Sequence, residues 1–85
     1  MEITIEISMY PLRDKHEDAI LEFIQEIKSK PGIEIRVNET STHLFGDYDQ
    51  VFNAIRDGVK KSFLKYGKAV FVIKILNGNL KIIQP

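Results

Sequence analysis

The chain has 85 residues, 12 Lys+Arg against 12 Asp+Glu, and no cysteine. It therefore has no disulfide framework or thiolate metal site, and no overall basic excess of the kind that neutralises nucleic-acid phosphates. With 44% hydrophobic and 28% charged residues it suits one small soluble domain over residues 1–85. Folding such a chain buries only roughly 60–65% of its unfolded surface, so self-association is a ready source of further stability.

Residues 2 to 8 alternate, with Ile3, Ile5 and Ile7 on one face and Glu2, Thr4, Glu6 and Ser8 on the other. Period-two alternation of β-branched residues predicts a half-buried strand, ended by Pro11, which has no amide proton for a ladder. Asp14, with Glu17 three residues on, is the expected cap of a first helix. Its apolar stripe is Ile20, Phe23, Ile24 and Ile27, and Pro31-Gly32 stops it. Ile33, Ile35 and Val37 alternate with polar residues as a second strand, and residues 40 to 46 are expected to form a third. Asp47 caps a second helix, along which Val51, Ile55, Val59 and Phe63 recur every four residues; Gly67 ends it. Lys68 to Leu76 is apolar after Lys68 except for Lys74, which predicts a strand covered on both faces. Asn77-Gly78 signals a tight turn, with Leu80, Ile82 and Ile83 as a short return strand.

The order β-α-β-β-α-β predicts an α+β, ferredoxin-like sandwich: a four-stranded antiparallel sheet with two helices on one face. Right-handed crossovers favour strand order 4-1-3-2, which puts the first and third strands in the centre. Glu6, Ser8, Ser41, Thr42 and His43 then become neighbours. Phe71, Ile73 and Ile75 are expected to meet the helices. Val70 and Val72 fall on the open face beside Thr4 and Glu6, where exposed valines point to a homodimer through that face.

The polar stretch Asn38 to Asp49, with Asn38, Thr40, Ser41, Thr42 and His43 at the start of the third strand, is richer in hydrogen-bonding groups than a small core requires. In a regular strand Ser41 and Thr42 point to opposite faces, a limit that a bulge or the strand end relaxes. Either these hydroxyls cap turns and bond the local backbone, or they meet a small polar-aromatic ligand. For such a ligand, hydroxyls and an amide satisfy ring nitrogens and an exocyclic amine, Glu6 accepts from an amine or offsets a cation, and Tyr10, Phe45 or Tyr48 supplies flat contact. His16 and His43 share no metal-ligand spacing. No nucleophile motif, dinucleotide fingerprint or phosphate loop is present, and the stacking aromatics of RNA-binding sheet domains are missing. Lys60, Lys61, Lys65 and Lys68 oppose the dipole at the end of the second helix. No apolar run approaches the roughly 20 residues that span a bilayer. Met1–Ile5 carries no secretory pattern, so no membrane partner and a cytoplasmic location are expected.

Several segments in order resemble the YkoF-type thiamine/hydroxymethylpyrimidine-binding proteins. They are Ile7-Ser8-Met9-Tyr10-Pro11-Leu12; Ser41-Thr42 with Phe45-Gly46-Asp47-Tyr48-Asp49; Ser62-Phe63; Gly67-Lys68-Ala69-Val70-Phe71-Val72; and Lys74-Ile75-Leu76-Asn77-Gly78. The resemblance spans nearly the whole chain. It implies a ferredoxin-like fold, non-enzymatic binding of thiamine or its pyrimidine precursor in salvage or transport, no cofactor beyond that ligand, and homodimers or homotetramers built from sheet faces. It also implies pocket roles for Ser8, Tyr10, Ser41 and Thr42. Thr40 stands where the resemblance implies a methionine before the Ser-Thr pair. The expected ligand-binding set is Glu6, Ser8, Tyr10, Asn38, Ser41, Thr42 and His43. In it, Asn38, Ser41 and Thr42 bond an aminopyrimidine, Glu6 complements an amine or the thiazolium, and Tyr10 gives apolar cover. The rival reading is a regulatory or assembly domain that associates through its sheet face without a small ligand. A hydrolase of the acylphosphatase kind ranks last, because Arg13, Arg36 and Arg56 lack the glycine-rich anion cradle that such chemistry needs.

Overall fold

Alternation in the first strand sets the core side of the sheet: Ile3, Ile5 and Ile7 are at most 2% exposed, and each such burial is worth about 1.5–3 kcal/mol. The computed structural model describes residues 1–82. Its elements are β1 (Glu2–Pro11), α1 (Glu17–Lys28), β2 (Ile33–Val37), β3 (Thr42–Asp47), α2 (Tyr48–Tyr66) and β4 (Ala69–Asn77), followed by a 3₁₀ turn at Leu80–Ile82. The sheet order is β2-β3-β1-β4 and every pairing is antiparallel. This is the βαββαβ ferredoxin-like sandwich, with the expected strand order read from the other edge.

Both helices lie on the isoleucine side of the sheet. Phe23 and Ile27 of α1 and Val51, Ala54 and Ile55 of α2 close over Ile3, Ile5, Ile7 and Leu44. At Gly58 a Cβ would stand 3.1 Å from the Phe23 ring, so the missing side chain is what lets the two helices approach. Asp47 caps α2 as expected, its Oδ2 accepting from the amides of Asp49 (3.1 Å) and Gln50 (3.3 Å). The cap expected for α1 is different. His16, not Asp14, stands at the N-cap and makes no capping side-chain bond. Acidic Glu17 and Asp18 in the first turn still favour that end of the dipole.

β1 ends at Pro11 as expected, with Pro11 as its last residue opposite Ala69; β3 ends its pairing at Ile7, so the missing proline amide breaks no ladder on that side. Two further expectations are corrected. The strand expected from residue 40 begins at Thr42, with Ser41 in the preceding turn. The return strand is absent: Leu80–Ile82 is a 3₁₀ turn, and Ile83 lies outside the described residues. The turn begins at Gly78, whose φ of +99° suits glycine. The Thr4 hydroxyl donates to the Gly78 carbonyl (2.8 Å) and accepts the Leu80 amide (3.0 Å). Lys81 then forms an ion pair with Glu34. Thr4, Phe45 and Glu34 sit side by side across three strands, so the tail crosses one end of the helix-free face. Thr4 and Phe45, nominally on an open surface, are buried there.

β4 also departs from expectation. Phe71 does meet the helices, its ring 5.0 Å from Phe23 and 5.7 Å from Phe63. Ile73 and Ile75 share its side of the sheet but remain 38% and 57% exposed, because the helices stop short of this edge. The strand expected to be covered on both faces is covered only around Phe71, on the helix side.

Candidate functional site

The seven candidate residues gather at one end of β1 and β3, divided between the two faces of the sheet. His43 lies opposite Glu6 and Thr42 opposite Ile7. Glu6 and His43 therefore face the helix-free side, and Thr42 faces the core side, buried.

On the helix-free side a hydrogen-bonded chain runs across the strands. Asn38 Nδ2 lies 3.1 Å from His43 Nδ1, and His43 Nε2 lies 3.2 Å from Glu6 Oε2. An amide nitrogen only donates, so Nδ1 accepts and Nε2 carries the proton given to Glu6. The Ser41 hydroxyl donates to the same carboxylate oxygen at 3.2 Å, and Lys74 Nζ approaches the other oxygen at 3.4 Å. The Lys74 ammonium, helped by Ser41 and His43, holds the Glu6 carboxyl below the usual carboxylate range against a smaller desolvation effect. Ser8 donates to the Thr40 carbonyl (3.2 Å), and the Asn38 amide donates to the Ser41 carbonyl (2.8 Å); these bonds fix the β2–β3 turn. Tyr10 stands beyond this chain with 55% of its surface exposed.

On the core side, under the same turn, is a cavity of about 610 Å³. Its wall is apolar: Ile7, Met9, Ile20, Phe23 and Ile24. Its rim carries Tyr10, Asn38, Ser41 and Thr42, with His16, Glu39 and Thr40. Four of the candidates thus border one cavity. Glu6, Ser8 and His43 do not; Ser41, which borders the cavity and bonds Glu6, joins the two groups. Sequence reasoning missed Lys74 and His16. The lone charge in an apolar β4 was a signal for Lys74, whereas only the fold brings His16 to the rim.

A second cavity, about 550 Å³, lies between α1 and α2 over Ala19, Phe23, Gly58 and Ser62. Its rim is closed by ion pairs: Lys61 to Glu26 and Lys65 to Glu22, each at 2.8 Å, with Tyr66 also donating to Glu22. The lysines read as dipole partners of α2 are thus in part salt-bridge partners of α1. Among the described residues no group of three or more His, Cys, Asp or Glu is placed to hold a metal, and no helix is long and apolar enough to cross a membrane.

The architecture defines the class: a ferredoxin-like sandwich with a polar-rimmed cavity where the β2–β3 turn meets α1. The chain belongs to the YKOF-related Family, whose model it matches over residues 2–85. Solved structures agree with the fold. Protein SP2199 of Streptococcus pneumoniae superposes with a TM-score of 0.87 at 18% identity, covering 98% of this chain and 93% of that one. TM0486 of Thermotoga maritima, provisionally described as a thiamine biosynthesis/salvage protein, gives 0.81 at 16% identity, covering 92% and 85%. The hypothetical protein MJ1052 of Methanocaldococcus jannascii gives 0.80 at 20% identity, covering 96% and 95%. None of the curated proteins gives a significant match to the chain.

Proposed function

We propose that this protein is a non-enzymatic, cytoplasmic binder of thiamine or its hydroxymethylpyrimidine precursor, acting in salvage or transport of the vitamin. The observation that carries the reading is the cavity beside Thr42. It is apolar within, has hydroxyls and an amide at its rim, and its size falls in the range of about 300–1,000 Å³ usual for small-molecule sites. An aminopyrimidine is a flat ring with acceptor nitrogens and one exocyclic amine, which suits apolar walls with Ser41, Thr42 and Asn38 at the edge. Tyr10 covers the ring from the mouth. Glu6, kept ionised by Lys74, is linked to the rim through Ser41 and favours an amine or the cationic thiazolium. Family membership and the description given to the Thermotoga maritima neighbour support the choice of ligand. Calorimetry with thiamine and with hydroxymethylpyrimidine tests it. Saturable heat with at least one is expected, together with a rise in melting temperature; neither response at millimolar ligand would rule the reading out.

The rival reading, an assembly domain without a small ligand, draws on the apolar residues exposed on the helix-free face, Val70, Val72 and Leu76. It gives a homodimer or homotetramer whose stability ignores thiamine.

A further inference from the structure

We propose that the charge on His43 decides which end of the Asn38 amide faces the cavity, and with it whether the rim accepts from a ligand's amine or donates to a ligand's carbonyl. This rests on the ligand reading above and adds a selectivity to it. His43 acts through Asn38, as a positioning residue.

Asn38 joins the two sides of the sheet. It borders the cavity, while its Nδ2 donates to His43 Nδ1 at 3.1 Å on the helix-free side. Its main chain is held, because the backbone N–H donates to the Ser41 carbonyl at 2.8 Å. What remains free is rotation of the terminal amide, which carries donors at one end and an acceptor at the other. The ring takes the nitrogen, and no bond to Oδ1 occurs among the described residues, so the oxygen is the end left to the rim.

The charged groups around His43 limit what a second ring proton can do. From β1, Glu6 accepts from Nε2 at 3.2 Å; Lys74, with Ser41, keeps that carboxylate ionised, so Nε2 donates in both charge states of the ring. From β4, Lys74 reaches the other Glu6 oxygen at 3.4 Å. From β2, Arg36 lies opposite His43, with its guanidinium 5.5 Å from the centre of the Phe45 ring, and Glu34 is paired with Lys81. The two cations cannot accept, Glu34 is taken up by Lys81, and Glu6 is engaged at Nε2. Asn38 is left as the partner of Nδ1.

A neutral ring accepts at Nδ1, and Asn38 supplies the donor. An imidazolium donates at both nitrogens. Its Nδ1–H would then meet the Asn38 NH₂, donor against donor. Turning the amide end for end removes the conflict: Oδ1 accepts from the ring, and Nδ2 passes to the rim. Histidine changes charge between about pH 5 and 8. Above that range the rim presents an acceptor, which suits the exocyclic amine of an aminopyrimidine. Below it the rim presents a donor, which suits a pyrimidine with a carbonyl in the amine's place.

Two measurements on the full chain test this, and they fail separately. Nuclear magnetic resonance of the ligand-free protein at about pH 8 and about pH 5 reads the turn of the amide. The Asn38 side-chain NH₂ protons should lie against the His43 ring at the higher pH and leave it at the lower, with the backbone spectrum little changed. Calorimetry then compares hydroxymethylpyrimidine with its deaminated counterpart, in which a carbonyl replaces the amine. Preference should move from the amine toward the carbonyl by about tenfold across that range, the worth of one hydrogen bond. His43→Asn sets an amide where Nδ1 stood and does not titrate. Protonation of the ligands themselves is common to both proteins, so the difference between their pH profiles reads the switch. NH₂ protons that stay against the ring at both pH values overturn the inference and leave the ligand reading intact. So does a preference that moves as far with pH in His43→Asn as in the unaltered chain. Heat from neither pyrimidine sinks the ligand reading, and this inference with it. Should His43→Asn fail to fold, the resonance measurement and the unaltered chain's pH profile decide.

Discussion

The two cavities are similar in size, about 550 and 610 Å³, yet their rims are opposites. The groove between α1 and α2 is edged by charges that neutralise one another, Lys61 with Glu26 and Lys65 with Glu22. Its floor is close-packed, with Gly58 against Phe23. The cavity under the β2–β3 turn is edged mainly by hydroxyls and an amide, with Glu39 also on the rim, and through Ser41 it adjoins Glu6, part of a hydrogen-bonded chain reaching across the sheet. Volume does not separate a joint between helices from a ligand site; the state of the polar groups at the mouth does. Charges already paired with each other offer little to a ligand, whereas a hydroxyl such as Ser41's, even with its proton given to Glu6, keeps a lone pair to accept with.

The sharpest way to break the comparison is to remove the hydroxyls from the proposed site. A chain with Ser41→Ala and Thr42→Val keeps its shape but loses two hydroxyls. Each hydrogen bond is worth about 0.5–1.5 kcal/mol, and about 1.4 kcal/mol is tenfold in affinity. Binding of thiamine or its precursor should fall roughly 10- to 100-fold by calorimetry, with the melting temperature nearly unchanged. Equal binding by the altered chain would move the site away from this rim.

Much of this was readable before any coordinates, for reasons that differ by element. The isoleucine alternation in β1 and the Asp47 cap are local signals that tertiary packing has no cause to override. Strand parity raised the split of Ser41 and Thr42 between two faces, but left it open at a strand end, and Ser41 stands in the turn just before β3. The tail was not readable, because Leu80, Lys81 and Ile82 suit a short strand and a 3₁₀ turn equally. What decides is the Thr4 hydroxyl, which bonds both sides of the Gly78 turn, and a threonine on the polar face of a strand ordinarily faces water. β4 was misjudged for an instructive reason. Apolar residues on both faces predict cover on both faces, but Val70, Val72, Ile73, Ile75 and Leu76 stay exposed at this edge of the sheet.

A smaller effect is expected in the groove, with the opposite sign. Ser62 is buried toward the C-terminal end of α2, and its Oγ has no hydrogen-bond partner. Burying an unpaired hydroxyl costs about 1–3 kcal/mol, and alanine is also the better helix former. Ser62→Ala should therefore stabilise the protein by about 1 kcal/mol, raising the melting temperature by about 4–8 °C for a domain of this size. Ligand affinity should not change, since the groove is not the site. A lower melting temperature would mean that the hydroxyl is bonded in solution and that the groove is wet.

The smallest effects belong to the ion pairs, and they discriminate by pH more than by size. Glu22 and Glu26 are held below the ordinary carboxylate value chiefly by the ammonium groups of Lys65 and Lys61, and Glu6 chiefly by that of Lys74. A carboxyl depressed in the folded state lends stability above its unfolded pKa and loses it as pH falls through the folded one. Lys61 and Lys65, raised by the same pairs, lend stability below their unfolded values and lose it only at strongly alkaline pH. Stability should therefore hold through neutrality and decline below the ordinary carboxylate range. Because the groove pairs are exposed, Glu22→Gln should barely alter stability at neutral pH; it should flatten the acid decline, and added salt should mimic it. Glu6→Gln should flatten the decline in the same way, but it should also weaken a cationic ligand at neutral pH, where Glu22→Gln leaves affinity unchanged. Urea titrations at several pH values, run with and without thiamine, separate the two carboxylates. If both substitutions moved affinity equally, the effect would be one of net charge, and Glu6 would lose its place beside the ligand.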